Sequence, residues 1–497
     1  MSRIAIDPSR PLGAIDRRIF GGFVEHLGRC VYGGLYEEGS PLSDERGFRT
    51  DVLGLLRDLR LGTLRWPGGN FASNYHWQDG IGPKDDRPRR PELAWGGEEP
   101  NRFGTDEFLA YCAELGTEPY ICLNMGTGTL QEALAWVEYC NSAANTYWTA
   151  RRRDNGHAEP YRVRYWALGN EMYGAWQVGA MSAEEYVREA TRWARAIRML
   201  DPGAVLIGCG ETGWTEWDRV VIDGLAGLVD YHSVHLYTGS DDYWTNVLQP
   251  HQAERAIRSA AAMIERTAYR QSLPKMPRIA YDEWNVWYRV MTGDLAERYT
   301  HPDALAVATY LNIFIRHSGW VKMANLAQMV NAIAPIVATP ETAVVQPVYY
   351  PLLLHARAAL DVAVDVHVEG ETVRPELPPG ASRWPYHVAD LGPFTLIDAA
   401  ASVTASGGNR RRIAVTLVNR ALSAERARIV LRDFAFDGAA AITTVTAGGA
   451  TEPRTLPDVA TARLEEGVER PVSGAVELTL PPQSFTVVEA TITVCSS

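Results

Sequence analysis

Short apolar runs of strand length alternate with segments of helical periodicity through about the first 350 residues of this chain. Such alternation is typical of parallel strands joined by crossover helices. Eight strand candidates can be counted, and eight parallel strands close a barrel. The predicted strands are residues 19–24, 64–67, 119–124, 165–169, 205–208, 231–236, 278–282 and 323–328. The predicted helices include residues 51–60, 105–115, 129–139, 183–200, 252–269 and 302–317.

The pattern changes after about Val348, where apolar and polar residues alternate in two-residue steps and are separated by Gly, Pro and Asp. Residues 412–418 and 475–480 show this alternation, which predicts antiparallel strands of a sandwich. Ile4 and Ile6 lie in a short strand candidate ahead of the barrel, and we expect this strand to pair with the C-terminal sheet.

The chain has 497 residues, more than a single core usually holds, so a second domain is expected. The predicted fold class is α/β, a (β/α)8 TIM barrel with a C-terminal all-β sandwich of jelly-roll type that also takes an N-terminal strand. The expected division is residues 1–14 for that strand, 15–350 for the catalytic barrel and 351–497 for the sandwich.

Charge and hydropathy exclude several classes of partner. The formal net charge is −12 and the pI is near 5.5, which makes nucleic acid an unfavourable partner. No stretch approaches the roughly 20 apolar residues of a membrane span, and the N-terminus does not resemble a secretory signal. We therefore expect a cytoplasmic protein without a membrane partner.

Cysteine and histidine placement gives no support for a metal site. The six cysteines form no C-x-x-C pair and mostly lie in apolar segments, which indicates buried free thiols. His232 and His235 are three residues apart in a predicted strand, so their side chains point to opposite faces and cannot ligate one ion. We expect neither a metal nor another cofactor.

Residues 208–213 match the G-x-G-x-x-G pattern of dinucleotide-binding domains and follow a predicted strand. Two observations favour a simple turn instead. The strand is fifth in the series of eight, and Glu211 would place a negative charge beside the pyrophosphate.

Two glutamates carry the strongest chemical signal. In residues 165–171 an apolar run is followed by Asn170 and Glu171. In residues 278–284 a largely apolar run is followed by Asp282, Glu283 and Trp284. Barrel enzymes present their catalytic groups at the C-terminal ends of strands. Two carboxyl groups are what glycoside hydrolysis needs, one as acid and one as nucleophile or base. Either glutamate alone could equally cap a helix or form an ion pair at the rim.

Five motifs in this order resemble the α-L-arabinofuranosidases of glycoside hydrolase family 51. They are Phe-Val-Glu-His-Leu-Gly-Arg at 23–29, Arg-Trp-Pro-Gly-Gly-Asn-Phe at 65–71, Trp-Ala-Leu-Gly-Asn-Glu-Met at 166–172, His-Leu-Tyr at 235–237 and Asp-Glu-Trp-Asn-Val-Trp-Tyr at 282–288. The resemblance runs from about Arg17 to Pro351. Residues 480–487 are similar to the last sandwich strand of that family.

The resemblance implies roles for ten residues. Glu171 matches the acid/base and Glu283 the nucleophile of a reaction that retains anomeric configuration. The residues implied to bind the sugar or to wall its subsite are Glu25, Asn70, Asn170, His235, Tyr237, Gln346, Trp95 and Trp287. Structural alternatives stay open for three of them, since Trp95 could anchor a surface loop, His235 could be a core histidine and Gln346 could tie down a turn.

The same resemblance implies arabinofuranosyl oligosaccharides or polysaccharides as substrates and a homo-oligomer, often a hexamer. We expect Glu171 and Glu283 to lie about 5–5.5 Å apart. We also expect the charge of Glu283 to raise the pKa of Glu171, and Glu25 to be ionised. Two alternatives remain at this point. One is a carbohydrate-binding or scaffold protein, and the other is a retaining endoglucanase or β-xylosidase on the same barrel.

Overall fold

A closed parallel barrel of eight strands forms the centre of the computed structural model, which describes residues 1–375, 388–405, 408–448, 456 and 459–495. The barrel strands in spatial order are β10, β11, β2, β3, β6, β7, β8 and β9, so all eight predicted strands are confirmed. The first thirteen strands are β1 (Ser2–Ala14), β2 (Gly21–Phe23), β3 (Thr63–Trp66), β4 (Arg90–Pro91), β5 (Glu98–Glu99), β6 (Glu118–Cys122), β7 (Tyr165–Leu168), β8 (Val205–Gly208), β9 (Tyr231–Thr238), β10 (Arg278–Val286), β11 (Val321–Ala327), β12 (Ile336–Ala338) and β13 (Ala343–Val345).

Ten α-helices surround the barrel among the described residues. Side-chain caps begin several of them, as at α5, where the hydroxyl of Ser182 and the carboxylate of Glu185 form a capping box. None of these helices combines the length and the apolar character needed to cross a bilayer. The helices are α1 (Thr50–Asp58), α2 (Thr105–Leu115), α3 (Leu130–Asn141), α4 (Tyr147–Asp154), α5 (Ala183–Leu200), α6 (Glu216–Leu225), α7 (Tyr243–Leu248), α8 (Gln252–Gln271), α9 (His301–Arg316) and α10 (Tyr349–Ala358). Short 3-10 helices span Arg17–Phe20, Asn70–Asn74, Trp77–Gly80, Lys84–Asp86, Gln249–His251 and Val388–Asp390.

Two barrel strands differ from their predicted bounds in ways that matter for the site. β2 is short because Arg17–Phe20 forms a 3-10 helix, capped by the Asp16 carboxylate that accepts from the Arg18 amide. β10 is longer than predicted and runs through Glu283 to Val286. Its pairing with β9 shifts register between Ala280 and Glu283, a bulge that changes the direction of the side chains beyond it.

The C-terminal region is a sheet-rich domain in which β1 is an interior strand. β1 pairs antiparallel with β14 and parallel with β19. Ile4 and Ile6 share one buried core with residues such as Val476 and Ile492, so the sheet folds around a common interior. Its strands are β14 (Val362–Glu369), β15 (Thr372–Val373), β16 (Phe394–Thr395), β17 (Ile397–Val403), β18 (Arg410–Asn419), β19 (Glu425–Leu431), β20 (Phe434–Phe436), β21 (Ala440–Ala447), β22 (Ala462–Glu469), β23 (Val476–Leu480) and β24 (Ser484–Val494).

Buried ionic contacts join this sheet to the barrel. Asp398 on β17 accepts a hydrogen bond of 2.8 Å from the side-chain amide of Asn312 on α9 and lies 3.1 Å from a guanidinium nitrogen of Arg316. Arg420, also buried, contacts Asp398 at 3.5 Å and His251 at 2.9 Å. Burial alone raises the pKa of Asp398, but the two arginines outweigh it and hold the pKa below its ordinary value.

Candidate active site

A cavity of about 490 Å³ opens at the C-terminal ends of the barrel strands. Its volume falls in the range of small-molecule sites. Eight of the ten residues singled out from the sequence line it, and the structure therefore brings them together from six different strands or the loops that follow them. They are Glu25, Asn70, Trp95, Glu171, His235, Tyr237, Glu283 and Trp287.

Glu283 is fixed through both of its carboxylate oxygens. Nη1 of Arg65 donates to Oε2 at 2.8 Å, and the hydroxyl of Tyr237 donates to Oε1 at 2.7 Å. Arg65 is almost fully buried, and its other terminal nitrogen donates to Oδ1 of Asn170. The guanidinium thus links the ends of β3, β7 and β10, and it compensates the negative charge of Glu283.

Glu171 faces Glu283 from the loop after β7. The residue has a φ of +43°, a left-handed conformation that is uncommon outside glycine and is often found at functional sites. Its carboxylate accepts hydrogen bonds from the Trp176 indole at 2.9 Å and the Tyr173 hydroxyl at 3.2 Å. Nδ1 of His235 lies 3.0 Å from its Oε1.

His235 lies between the two glutamates. One carboxylate oxygen of Glu171, one of Glu283 and a ring nitrogen of His235 all lie within 4.8 Å of one another. Nε2 of His235 is 3.5 Å from Asp282, so three carboxylates surround the ring. Burial lowers the pKa of His235, but these carboxylates, Glu283 foremost, outweigh it and raise the pKa to about 10.

This histidine reverses the expected pKa shift of Glu171. Burial raises the pKa of Glu171, whereas the hydrogen bond and positive charge of His235 lower it by more, and the result lies below the ordinary value. The expectation that Glu283 raises this pKa was wrong, because the imidazolium stands closer to Glu171 than any uncompensated negative charge. Glu171 and His235 therefore share one proton, which lies on the imidazole at neutral pH.

Glu25 forms the opposite wall of the cavity. Its Oε1 accepts from the Phe71 amide and from the Trp95 indole, both at 3.0 Å, and its Oε2 accepts from Nε2 of Gln328 at 3.1 Å. Burial raises the pKa of Glu25 to about 7, more than these donors lower it, and the charge of Glu283 adds to the increase. Glu25 is therefore partly protonated at neutral pH, which differs from the fully ionised state that was expected.

Asn170 lies behind the cavity lining rather than within it. Its Oδ1 is occupied by Arg65, but its Nδ2 is buried and has no hydrogen-bond partner in the described part of the chain. The same Nδ2 and Oε2 of Glu283 both lie near Gly69, at 3.4 and 3.5 Å from the position that a Cβ would take there. The amide group is thus a donor without an acceptor among the described residues, close to Glu283.

The structure does not bring Gln346 into the cavity. Its side-chain oxygen accepts from the Tyr299 amide at 2.9 Å, and its nitrogen donates to the carbonyls of Glu297 and Ala334 at 3.1 and 2.7 Å. Backbone groups therefore occupy both ends of this buried amide. The glutamine that lines the cavity is Gln328.

Several residues of the site were missed by the sequence reasoning. Arg65 stands inside a motif that was noted for Asn70, and Gln328 is the polar residue that ends predicted strand eight, so the strand-end criterion could have found both. Glu211 and Thr212 had been assigned to a turn. No sequence signal identified the remaining lining residues, which are Leu27, Gly69, Tyr173, Trp176, Leu236, Leu295 and Ile333.

Comparison with known proteins identifies the family of this chain. Residues 55–255 match the family described as "Alpha-L-arabinofuranosidase 1 domain", and residues 282–484 match the "Alpha-L-arabinofuranosidase C-terminal domain". The chain is 47% identical to alpha-L-arabinofuranosidase C of Emericella nidulans over 74% of this chain and 78% of that protein. It is 36% identical to the intracellular exo-alpha-(1->5)-L-arabinofuranosidase 1 of Bacillus subtilis over 87% of each.

Solved structures give the same result. An alpha-L-arabinofuranosidase of Thermotoga maritima in complex with arabinose matches with a TM-score of 0.87 and 41% identity, covering 98% of this chain and 99% of that one. The GH51 alpha-L-arabinofuranosidase of Thermotoga petrophila matches with a TM-score of 0.86 and 41% identity, covering 98% and 100%. A bifunctional glucanase-xylanase, CelM2, shares the fold alone, with 15% identity and a TM-score of 0.61. Because both family models match and these relatives are 36–47% identical over most of their length, the chain belongs to the α-L-arabinofuranosidases of glycoside hydrolase family 51.

Proposed function

We propose that this protein is a retaining, exo-acting α-L-arabinofuranosidase that releases terminal α-L-arabinofuranosyl units from arabinan, arabinoxylan or oligosaccharides derived from them. The observation that carries the proposal is the spacing of Glu171 and Glu283, whose nearest oxygens lie within 4.8 Å. Retaining enzymes hold their two carboxyl groups about 5–5.5 Å apart, whereas inverting enzymes leave about 6.5–9.5 Å for a water molecule.

Glu283 acts as the nucleophile in this proposal. Arg65 and Tyr237 each hold one of its oxygens, so the carboxylate is oriented before substrate binds. Its negative charge favours the oxocarbenium-like transition state, and its attack on the anomeric carbon gives a covalent glycosyl-enzyme. Asn170 Nδ2, which lacks a partner beside Glu283, is available to the hydroxyl next to the anomeric carbon.

Glu171 acts as the acid and then as the base. The proton it shares with His235 moves to Oε1 along the 3.0 Å contact and then to the departing oxygen. Formation of the glycosyl-enzyme removes the negative charge of Glu283. Glu171 then accepts a proton from water, which attacks the anomeric carbon and releases arabinose with its configuration retained.

The remaining groups fit one small ring. Glu25, Gln328 and Trp95 are joined to one another by hydrogen bonds, and Asn70 lines the cavity beside them. Polar groups thus face several hydroxyls of a single sugar, with Trp287 and Tyr237 as an aromatic wall whose ring centroids lie 5.2 Å apart. Such a pocket leaves no exit for a chain that continues beyond the ring, which supports exo action.

Further parts of the proposal follow from these points. We assign catalysis to residues 15–350, because every residue that lines the cavity lies within them, and a structural role to 1–14 and 351–497. Gln346 positions the backbone beside the cavity rather than contacting sugar.

A cytoplasmic location is supported by the Bacillus subtilis relative, which is named intracellular. A homo-oligomer, implied by family resemblance, is tested by light scattering after gel filtration.

A substrate panel tests the activity. An aryl α-L-arabinofuranoside, an aryl β-xyloside and a soluble glucan are compared, and hydrolysis confined to the first is the expected result. Early release of arabinose alone from a linear arabino-oligosaccharide supports exo action, whereas a series of internal fragments contradicts it. Glu171→Ala should slow substrates with poor leaving groups far more than those with activated phenols, because the latter need little protonation.

A further inference from the structure

The loop between β8 and α6, residues 209–215, borders the cavity beside Glu171, and nothing in the proposed reaction uses it. Its Glu211 and Thr212 both line the cavity. The loop is held in place by buried Asp218, which accepts hydrogen bonds of 2.8, 2.8 and 3.0 Å from the backbone N–H groups of Glu211, Gly213 and Thr215. The two lining side chains therefore stand on a rigid support.

Both side chains have polar atoms available for a ligand. The Thr215 hydroxyl donates to Oε2 of Glu211 at 2.6 Å, which orients the carboxylate and leaves Oε1 without a hydrogen bond to any described residue. Thr212 is only 9% exposed, and its hydroxyl has no hydrogen-bond partner in the part of the chain that the structure describes. A buried hydroxyl without a partner is unfavourable, so a ligand that supplied one would be recognised here.

The position of the loop identifies which part of the substrate it meets. The glycosidic oxygen must lie against Glu171, and the backbone carbonyl of Glu211 accepts a hydrogen bond of 2.8 Å from the amide of His235, the partner of Glu171. Glu25 and Gln328, which bind the arabinose ring in the proposed function, come from β2 and β11 instead. In the barrel β8 lies between β7 and β9, away from β2 and β11. The departing group therefore passes over Glu211 and Thr212.

We propose that Glu211 and Thr212 form a subsite for the leaving group and that this subsite takes a hydroxyl-bearing sugar. The inference rests on the proposed function. The Glu211 carboxylate accepts a hydrogen bond from one sugar hydroxyl, and the Thr212 hydroxyl exchanges a hydrogen bond with a neighbouring one. The enzyme thereby distinguishes arabinose linked to another sugar from arabinose linked to a simple alcohol.

The test uses two substrates whose leaving groups need equal protonation. α-(1→5)-L-Arabinobiose and methyl α-L-arabinofuranoside both release an alcohol that leaves only when protonated, so Glu171 must act on both. Only the first leaving group carries further hydroxyls. The quantity measured is the ratio of kcat/KM for the disaccharide to kcat/KM for the methyl glycoside. Because both values come from one preparation, any loss of folded protein cancels in the ratio.

We expect Glu211→Ala and Thr212→Val each to lower this ratio about tenfold, since each removes one hydrogen bond to the leaving group. Thr212→Ser keeps the hydroxyl and should keep the ratio. An unchanged ratio in both Glu211→Ala and Thr212→Val would overturn the subsite while leaving the proposed function intact. Absence of hydrolysis of either substrate by the unaltered protein would instead overturn the proposed function, and the subsite with it.

Discussion

Arg65 donates a hydrogen bond of 2.8 Å to Glu283 from behind the cavity lining, where the arginine side chain is 1% exposed and the glutamate side chain 10%. The same guanidinium holds Asn170, the neighbour of Glu171. One planar cation therefore sets the direction of the Glu283 carboxylate and the position of Asn170, the residue before Glu171. A buried charge pair with this many partners is sensitive to the geometry of the cation as well as to its charge.

Arg65→Lys is expected to lower kcat roughly a hundredfold, because an ammonium keeps the charge but cannot bridge Glu283 and Asn170 together. Steady-state kinetics on an aryl arabinofuranoside measure the effect. Arg17→Lys, remote from the cavity, serves as the control. Full kcat in Arg65→Lys would show that only the positive charge matters.

His235→Asn is expected to move the basic limb of the kcat/KM profile to lower pH. In the unaltered protein the shared proton stays on the pair until the pH approaches the His235 pKa of about 10. Without the imidazole, Glu171 alone holds the proton. Its pKa loses the lowering contribution of His235 and is raised by burial, yet a carboxyl still deprotonates at lower pH than this imidazolium.

The matched control for this profile is His232→Asn. His232 lies on the same strand but faces Asp218 at 2.8 Å, on the other side of β9 from Glu171. Its replacement should leave the basic limb in place. A basic limb that is unaltered in His235→Asn would mean that the pair does not share the catalytic proton.

Glu25→Gln is expected to lower activity, and its free energy of unfolding relative to the unaltered protein should be larger at pH 8 than at pH 5. The folded pKa of Glu25 is raised from 4.5 to about 7, so its favourable contribution is complete below pH 4.5 and is lost as the pH rises through 7. The shift corresponds to about 3 kcal/mol of unfolding free energy. Because glutamine does not titrate, the variant does not lose this stability as the pH rises. Thermal unfolding at the two pH values measures it, and exposed Glu45→Gln is the control.

Asp398→Ala is expected to destabilise the protein by about 3–5 kcal/mol, because Arg316 and Arg420 would keep buried charges without their carboxylate. The cavity is lined by other residues, so kcat at 25 °C should be retained. Denaturant unfolding and kinetics on the same samples separate the two effects. Asp437→Ala removes an exposed ion pair with Arg410 and should cost little.

The barrel was predictable because segments of strand length alternate with segments of helical periodicity, and both are visible in the order of apolar residues. Shifts of a few residues were not predictable. The 3-10 helix capped by Asp16 delays the start of β2, and β10 continues past a bulge to Val286. The parallel pairing of β1 with β19 was equally hidden. Alternation of apolar residues shows that a strand exists but carries no information on the direction of its neighbour.

The sequence predicted which residues form the site better than it predicted their protonation states. Glu171 and Glu283 were found from their strand ends, but the pKa of Glu171 depends on a ring from another strand that lies 3.0 Å away. A similar limit separates Gln346 from Gln328, since both are glutamines near apolar runs. Only the folded structure shows that the side chain of Gln346 is hydrogen-bonded to backbone groups, whereas Gln328 lines the cavity and donates to Glu25.

The place of β1 has a consequence for the order in which the chain is made. Ser2 pairs with Ala427 and Arg3 with Glu369, so β1 leaves the ribosome well before the segments that complete its part of the sheet. At roughly 5–20 residues per second, its partner on β19 is synthesised tens of seconds later. The barrel, which lies between β1 and β19 in the sequence, can form its local contacts during that delay. Ile4 and Ile6 stay exposed to solvent in the same period. Vectorial synthesis therefore leaves the apolar side chains of β1 without their sheet partners for tens of seconds, which gives a chaperone time to bind there.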